Sequence, residues 1–465
     1  MTGERINPMV VKEVRQGLKS RGFVASLMLL QLLMVCCMLL YFLILSQPQG
    51  GSGGLVGADV FFWAILGLCL LVIIPAQACF SLSNEREQQT MELVQLTRLQ
   101  SRNIVFGKNA SHLLQAFLLF TAVLPFLVLR YFFGQLSVSG NLQVTFTMIG
   151  LGIFLTACGL WISSFPGKAT RYTLMVCLFL ATLVLGVFIL EELSYSSLSI
   201  TTRDTALFAL FTIIYSRFFL WEAVARIAPA VENHTPRKRL ISLVLLLAAL
   251  GFLWRFPAEE FFILMLVLLT PMCVATLCEP AQPLAGLRAR PGKLQTLGWI
   301  FRTPGFIPAA TFVFTIFFAL FCMSLLMIPR MPHHAYSHEP LVFAPVWLNV
   351  LLYPIPLMQW RNVPSEKRIL FYLVVQLICL ILGLMGMFLQ ETIWIAGDIL
   401  IAAFPMWAFI DIIDNGGNYS QLLPNLTFSM LLIATILYRP VRHFPSFAPA
   451  ISLPDPRDAE NTPPA

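Results

Sequence analysis

Residues 24–45 read VASLMLLQLLMVCCMLLYFLIL, an apolar run without a single charged residue. A helix needs about 20 apolar residues to cross the hydrocarbon core of a bilayer. The run therefore predicts a membrane-spanning helix. It is too long for the core of a cleavable signal peptide, and a long basic stretch precedes it. We interpret it as a retained first span.

Similar apolar runs recur along the 465 residues, of which 58% are hydrophobic and only 11% charged. Soluble domains carry about 25% charged residues, and membrane β-barrels are built from short alternating strands. Neither pattern fits this chain. The sequence predicts an all-α, polytopic integral membrane protein. Its twelve expected spans are residues 24–45, 60–80, 110–133, 145–163, 172–190, 205–225, 240–255, 260–278, 306–328, 343–359, 369–389 and 421–438.

The distribution of basic residues predicts the orientation of these spans. With a cytoplasmic N-terminus, all but four of the 30 Lys and Arg residues fall on the cytoplasmic side, as the positive-inside rule requires. The four exceptions are Arg130, Arg203, Arg255 and Arg330. Basic loops beside spans also account for the net charge of +7, so no nucleic-acid partner is expected. The lipid bilayer is the expected surrounding, and the chain is expected in the plasma (inner) membrane.

One further apolar stretch, residues 393–413, is ambiguous. If it crossed the membrane, Arg439, Arg442 and Arg457 would move to the outer side, so the charge bias favours a re-entrant or interfacial hairpin. The stretch contains Asp398. A carboxylate at membrane depth is costly, so Asp398 is a candidate residue of a transport pathway, unless it lies in a shallow hairpin and faces water.

These features predict four regions. Residues 1–23 form a cytoplasmic interfacial helix, residues 24–228 a six-span domain with a cytoplasmic loop at 81–109, and residues 229–438 a second six-span region. Residues 439–465 form a proline-rich, disordered tail. Loop 279–305 occupies the place in the second region that loop 81–109 has in the first. The second region is thus either a diverged repeat or an unrelated extension.

The N-terminal stretch 7–21 reads NPMVVKEVRQGLKSR. Asn7 can cap a helix, and Pro8 suits its first position. Apolar and basic side chains then segregate, with Val10, Val14 and Leu18 on one face and Lys12, Arg15 and Lys19 elsewhere. This pattern is typical of an amphipathic helix that lies in the membrane interface, although it also suits a generic anchor before a first span.

Residues 81–108 read SLSNEREQQTMELVQLTRLQSRNIVFGK. Asn84 and Glu87 have the spacing of a capping box, which predicts that a short helix begins there. A second helix is expected to begin at Ser101 and run into the next span. Two short helices of this kind suit the docking of a soluble partner, whereas the alternative is an ordinary solvated loop.

The string from Glu85 to Lys108 resembles the loop between the second and third spans of type-2 ABC exporter permeases. The matching residues are Glu85, Arg86, Glu87, Thr90, Glu92, Leu93, Thr97, Ile104, Gly107 and Lys108. Gln89 and Arg98 depart from that family's usual glycine and proline. The N-terminal stretch is similar to the family's connecting helix, through Asn7, Pro8, Lys12, Glu13 and Arg15.

The resemblance implies a membrane permease subunit of an ATP-driven exporter. Its loop would form a coupling helix that docks on a separate P-loop ATPase, with a second permease or a second copy completing the transporter. The ATPase-coupling residues would be Asn84, Glu85, Arg86, Glu87, Thr90, Glu92, Leu93, Thr97, Gly107 and Lys108. The chain itself has no P-loop, because Asn109 follows Gly107-Lys108 and Ala169 follows Gly167-Lys168. No cofactor and no enzymatic activity of its own are therefore expected.

Two other functions stay open. An ion-gradient-driven transporter would need paired intramembrane acids, for which Asp398 is the only candidate. A membrane-embedded enzyme would need convergent polar groups. The histidine loop at His333, His334 and His338, with Glu339 beside it, offers one such cluster, although an ordinary polar loop is the simpler interpretation. No metal site is expected there or among the cysteines.

Overall fold

The computed structural model is helical throughout the part of the chain that it describes, with no strand in that part. The described residues are 8–46, 52–87, 100–132, 138–194, 202–228, 234–255, 269–279, 306–327, 339–361, 363–364, 367–392, 427 and 430–435. This confirms the predicted all-α class for those residues.

The first compact unit comprises residues 1–252, 271–312 and 364–370. Its leading helices are α1 (Pro8–Leu18), α2 (Arg21–Ser46), α3 (Ser52–Gly67), a π segment (Leu68–Ile73), α4 (Ile74–Glu87) and α5 (Ser101–Phe132). They are followed by α6 (Val138–Ser163), α7 (Lys168–Ser194), α8 (Thr202–Ile227), α9 (Thr235–Arg255) and helical residues 269–277, here called α10.

Five helices are long and apolar enough to cross a membrane, counted over the described residues. They are Arg21–Ser46, Gly57–Glu87, Ser101–Arg130, Gln143–Ser163 and Phe208–Ile227. They coincide with five of the first six predicted spans, and they mark the chain as a helical membrane protein. Helix α7 includes the predicted span 172–190. That this segment crosses the membrane stays a prediction, and so do the spans of the second region.

Helix α6 packs unusually closely on the second span because two glycines remove side chains from the contact. A Cβ atom at Gly159 would lie 2.7 Å from the backbone oxygen of Pro75, and one at Gly152 would lie 3.1 Å from that of Leu70. Backbone oxygens cannot rotate away as side chains do. Glycine at these positions therefore lets the two helices approach each other directly.

The core of this unit lies between α2, α3, the π segment, α5 and α6. Fully buried residues include Leu30, Met34, Phe62, Leu66 and Leu119. The lipid-facing sides of the same helices keep large apolar residues exposed, for example Leu32 on α2 and Phe117 on α5. A water-soluble protein would cover such side chains, whereas lipid solvates them without cost.

The second compact unit comprises residues 253–270, 313–363 and 371–465. The helices of its described part are α11 (Phe306–Met327), which begins in the first unit, α12 (Glu339–Leu352), α13 (Pro354–Trp360), α14 (Arg368–Thr392) and residues 430–435. The helix over the predicted span 343–359 is interrupted at Tyr353, where the backbone angles stay helical (φ −53°, ψ −42°) but Pro354 has no N–H to donate to the preceding turn. The hairpin 393–413, with Asp398, and the loop with His333, His334 and His338 lie outside the described residues.

Candidate functional site

The N-terminal helix α1 lies against the first turns of α5. Gly17 permits this close approach, because a Cβ atom there would lie 2.9 Å from Ser111 Oγ and closer still to the Gln115 amide. The Ser111 hydroxyl donates a 3.1 Å hydrogen bond to the backbone oxygen of Glu13. The predicted amphipathic helix is thus present as a helix, and it packs on protein as well as presenting an outer face.

Lys108, near the start of α5, contacts both segments that the sequence analysis identified, which are the N-terminal helix and the loop after the second span. Its Nζ atom lies 2.8 Å from Glu85 Oε1 at the end of α4 and 3.2 Å from Glu13 Oε2 on α1. Only 5% of the Lys108 side chain is exposed. We call these three residues the Lys108 junction. A buried charge left without its partners is strongly destabilising, so the junction holds α1, α4 and α5 in one arrangement.

The last turn of α4 is also tied to the connection between α6 and α7. Arg171 Nη2 lies 2.8 Å from Glu87 Oε1, and the guanidinium of Arg86 donates a 3.1 Å hydrogen bond to the backbone oxygen of Ser164. Glu87 is half-exposed, and the exposed Lys168 lies 3.8 Å from it. Glu87 therefore combines a fixed position with access from solvent.

A single hydroxyl group anchors the helix just before these charges. The Oγ atom of Ser163, at the end of α6, accepts hydrogen bonds from the backbone nitrogens of Leu82 at 2.8 Å and Ser83 at 2.9 Å. Ser163 is buried. This buried contact ties α4 to the end of α6, in addition to the bonds that the interior N–H groups of α4 make along their own helix.

The structure corrects one expectation about this loop. Asn84 does not begin a helix, because α4 runs without interruption from Ile74 to Glu87 and places Asn84 in its last turn. The second helix does begin at Ser101 as predicted. The tertiary contacts to Ser163 and Ser164 extend the span by a turn that the capping-box spacing had assigned to a separate helix.

The remaining predicted site residues fall into three groups. Gly107 is buried in α5 beside the Lys108 junction. Lys12, Arg15 and Asn84 are exposed, and Pro8 begins α1. Asn7, Thr90, Glu92, Leu93, Thr97 and Asp398 lie outside the described residues. The structure brings the predicted coupling residues Glu85 and Lys108 together with Glu13 of the interfacial helix, and it places Arg86 and Glu87 on the α6–α7 connection.

Sequence reasoning missed a second buried charge cluster, between α8, α9 and α10. Lys238 Nζ lies 2.7 Å from Glu222 Oε1 and 2.6 Å from Glu279 Oε1, and Arg239 Nη2 lies 3.1 Å from Glu279 Oε2. Burial alone would lower the pKa of Lys238, but the two carboxylates outweigh it and raise that pKa. The sequence did contain one indication of this cluster. Glu222 is an acidic residue inside a predicted span, where a charge is costly unless it is paired.

A third cluster lies where α2 ends, α3 begins and α5 ends. Arg130 Nη2 lies 2.7 Å from Asp59 Oδ1, and the Tyr41 hydroxyl hydrogen-bonds to the same carboxylate. The guanidinium carbon lies 5.0 Å from the ring centroids of Phe62 and Trp63. The sequence had identified Arg130 only as one of the few basic residues outside the cytoplasmic side.

Ion pairs connect α1, α4, α5 and the α6–α7 connection at this site. Among the described residues, no three or more His, Cys, Asp or Glu side chains are placed to hold a metal ion. The exposed polar groups of the described residues at this end of the bundle include Lys12, Arg15, Asn84, Glu87 and Lys168, which are suited to contact with another protein or with headgroups. The chain matches no protein-family model, no curated protein and no solved structure.

Proposed function

We propose that this chain is the membrane permease subunit of an ATP-driven exporter of the type-2 ABC class. A separate P-loop ATPase would dock on the segment around residues 84–108. The ATPase would bind and hydrolyse ATP, because this chain lacks the P-loop sequence. Its N-terminus would be cytoplasmic in the plasma membrane, and a second permease or a second copy would complete the transporter.

The Lys108 junction is the observation that supports this proposal best. The family resemblance rests on two stretches, one in the N-terminal helix and one in the loop after the second span. Glu13 and Lys108 belong to these separate stretches, yet they pair although 95 positions separate them in sequence. Glu85, from the start of the second stretch, joins them. Residues that carry the resemblance thus also form one physical unit.

The connections of this unit suit the transmission of force. A push on the last turn of α4 would reach α5 through Glu85 and Lys108, α1 through Glu13, and the α6–α7 connection through Arg86 and Glu87. Packed helices respond to such a push by moving as rigid bodies rather than by bending. An ATPase that binds one arrangement of these helices more tightly would therefore shift the population toward it.

An ion-gradient-driven transporter is the alternative from a different class. Its candidate carboxylate, Asp398, lies outside the described residues. The buried acids of the first unit, Glu222 and Glu279, each pair with a cation. These acids are therefore poorly suited to exchange a proton or a metal ion during transport, which favours the ATP-driven proposal.

Affinity purification of the chain from its native membrane, with mass spectrometry to identify a bound P-loop ATPase, tests the proposal. The native chain is expected to retain the ATPase in detergent. Glu87→Lys reverses a half-exposed charge and is expected to weaken this retention about tenfold or more, whereas Lys168→Met, on the same surface, should have little effect. Failure of the native chain to bind the ATPase, together with transport that persists without it, would contradict the proposal.

A further inference from the structure

Four basic side chains are exposed on α1 or directly after it. They are Lys12, Arg15, Lys19 and Arg21. The first three follow one another at intervals of three and four residues, which places them in one row along the helix. We call these three the basic row. Together with the exposed Val11, the row lines a shallow cleft of about 490 Å³.

The fold removes the one acidic residue of this segment from the basic row. Glu13 is the only acid between Pro8 and Arg21. Its carboxylate lies 3.2 Å from Lys108 Nζ, and only 12% of its side chain is exposed. No side chain of the basic row forms an ion pair with another described residue. The positive charge of the row is therefore uncompensated within the described part of the chain.

Another side of α1 packs on α5, and this packing holds the basic row in place. Gly17 permits the close approach, because a Cβ atom there would overlap Ser111 and Gln115. The Ser111 hydroxyl also donates a 3.1 Å hydrogen bond to the backbone oxygen of Glu13. Because these contacts fix the helix before a ligand arrives, less conformational freedom is lost when a ligand binds.

Two features place α1 at the level of the lipid headgroups. Only two residues separate it from α2, which has 26 residues. At about 1.5 Å per residue, α2 is about 39 Å long and exceeds the hydrocarbon core of about 30 Å. The exposed Arg21 in its first turn belongs outside that core. On α5, moreover, α1 contacts Ser111 and Gln115, where the predicted span 110–133 begins.

We propose that the basic row binds the phosphate groups of anionic phospholipids in the leaflet around α1. Arginine and lysine donate charge-assisted hydrogen bonds to phosphate oxygens, and basic side chains at a membrane surface attract anionic lipids. A choline headgroup carries its own cation, so a zwitterionic lipid offers the row little net attraction. Val11, in the same cleft, can contact the apolar part of the lipid. The proposal does not rest on the ATP-driven function.

A photoreactive phosphatidylglycerol tests this surface in the purified full-length chain, reconstituted in phosphatidylcholine nanodiscs. Cross-links read by mass spectrometry are expected within residues 8–21. Unlabelled phosphatidylglycerol should compete with them about tenfold better, or more, than added phosphatidylcholine. The triple variant Lys12→Gln/Arg15→Gln/Lys19→Gln removes the charge of the row and should reduce these cross-links about tenfold or more.

Two control variants separate the row from the net charge of the protein. Exposed basic residues outside α1 are neutralised in the triple variant Lys168→Gln/Arg361→Gln/Lys367→Gln. This variant loses the same charge and should keep the cross-links. Exchange of lysine for arginine and of arginine for lysine within the row preserves its charge and should also keep them. Hydrogen–deuterium exchange of α1 is expected to be the same in all variants, because the contacts of Glu13 and Gly17 are untouched.

Three results would overturn the proposal. The first is equal cross-linking by photoreactive phosphatidylglycerol and by phosphatidylcholine with the same acyl chains, which would leave the row to a protein partner. The second is cross-linking that survives unchanged when the row is neutralised. The third is complete competition by soluble glycerol phosphate at millimolar concentration, which would assign the row to a soluble phosphate ester instead of a lipid.

Discussion

The ammonium group of Lys108 lies 2.8 Å from the carboxylate of Glu85, and only 5% of the lysine side chain is exposed. This pair joins the last turn of the second span to the first turns of the third. Glu13 lies on the other side of the same ammonium group, at 3.2 Å. The end of the bundle that would face an ATPase is therefore held together by charges that solvent hardly reaches.

Removal of the Lys108 charge should destabilise the protein strongly. Lys108→Met leaves two carboxylates close together without a cation and is expected to lower the free energy of unfolding by about 3 kcal/mol or more. Unfolding in mixed micelles, followed by circular dichroism, measures this. Lys168→Met is the control, because 70% of that side chain is exposed and its loss should cost no more than about 0.5 kcal/mol. Equal stability of both variants would show that the junction is not a structural connection.

Loss of the Ser163 hydroxyl should also be costly. Ser163→Ala removes the hydroxyl that joins the end of α6 to the backbone nitrogens of Leu82 and Ser83, so we expect a loss of about 1 kcal/mol in the free energy of unfolding. Ser46→Ala removes an exposed hydroxyl that bonds within its own helix and should change stability by less than about 0.5 kcal/mol. A Ser163→Ala variant as stable as Ser46→Ala would argue that Ser163 does not hold α4.

A larger residue at position 17 should detach α1 from α5. The side chain of Gly17→Leu would overlap Ser111 and Gln115, so the backbone amides of α1 are expected to exchange hydrogen about tenfold faster or more. Hydrogen–deuterium exchange read by mass spectrometry reports this for each segment. Gly22→Leu adds the same side chain where nothing lies within 4 Å. Unchanged exchange in Gly17→Leu would mean that α1 does not depend on this contact.

The two ends of the second span should label from opposite sides of the membrane. Asn84 and Gly57 are both exposed, and the helix from Gly57 to Glu87 has 31 residues. At about 1.5 Å per residue it exceeds the hydrocarbon core of about 30 Å. A membrane-impermeant maleimide is expected to react with Asn84→Cys only in inside-out vesicles and with Gly57→Cys only in right-side-out vesicles. Reaction of both variants from one side would contradict a crossing between them.

Hydropathy predicted the parts of the fold that depend on lipid. Long apolar runs marked α2 and the second span because burial in a bilayer is a property of one segment. The helix at residues 8–18 was likewise predicted from a local pattern, which is the helical spacing of its apolar side chains. The break at Tyr353 was not predicted, although Pro354 was visible, because hydropathy averages over such interruptions.

The contacts of the site could not be predicted from local patterns. Lys108 was singled out by its position in a motif, but its pairing with Glu13 and Glu85 requires the packing of three helices. Ser163 gave no signal, because a serine that hydrogen-bonds to a neighbouring helix looks like any serine at a helix end. Arg130 was counted on the outer side and Lys238 on the cytoplasmic side, whereas packing buries both. Sequence thus indicated which residues matter around the coupling loop, and tertiary structure was needed to show what they contact.

Docking of an ATPase at the last turn of α4 would shield Asn84, so protection of Asn84→Cys from labelling is the decisive measurement. Asn84 is exposed there, next to the Lys108 junction. In inside-out vesicles, addition of the P-loop ATPase that co-purifies with the native chain is expected to slow maleimide labelling of Asn84→Cys about tenfold or more. Gly57→Cys, labelled in detergent, should be unaffected. Equal labelling of Asn84→Cys with and without saturating ATPase would contradict the claim.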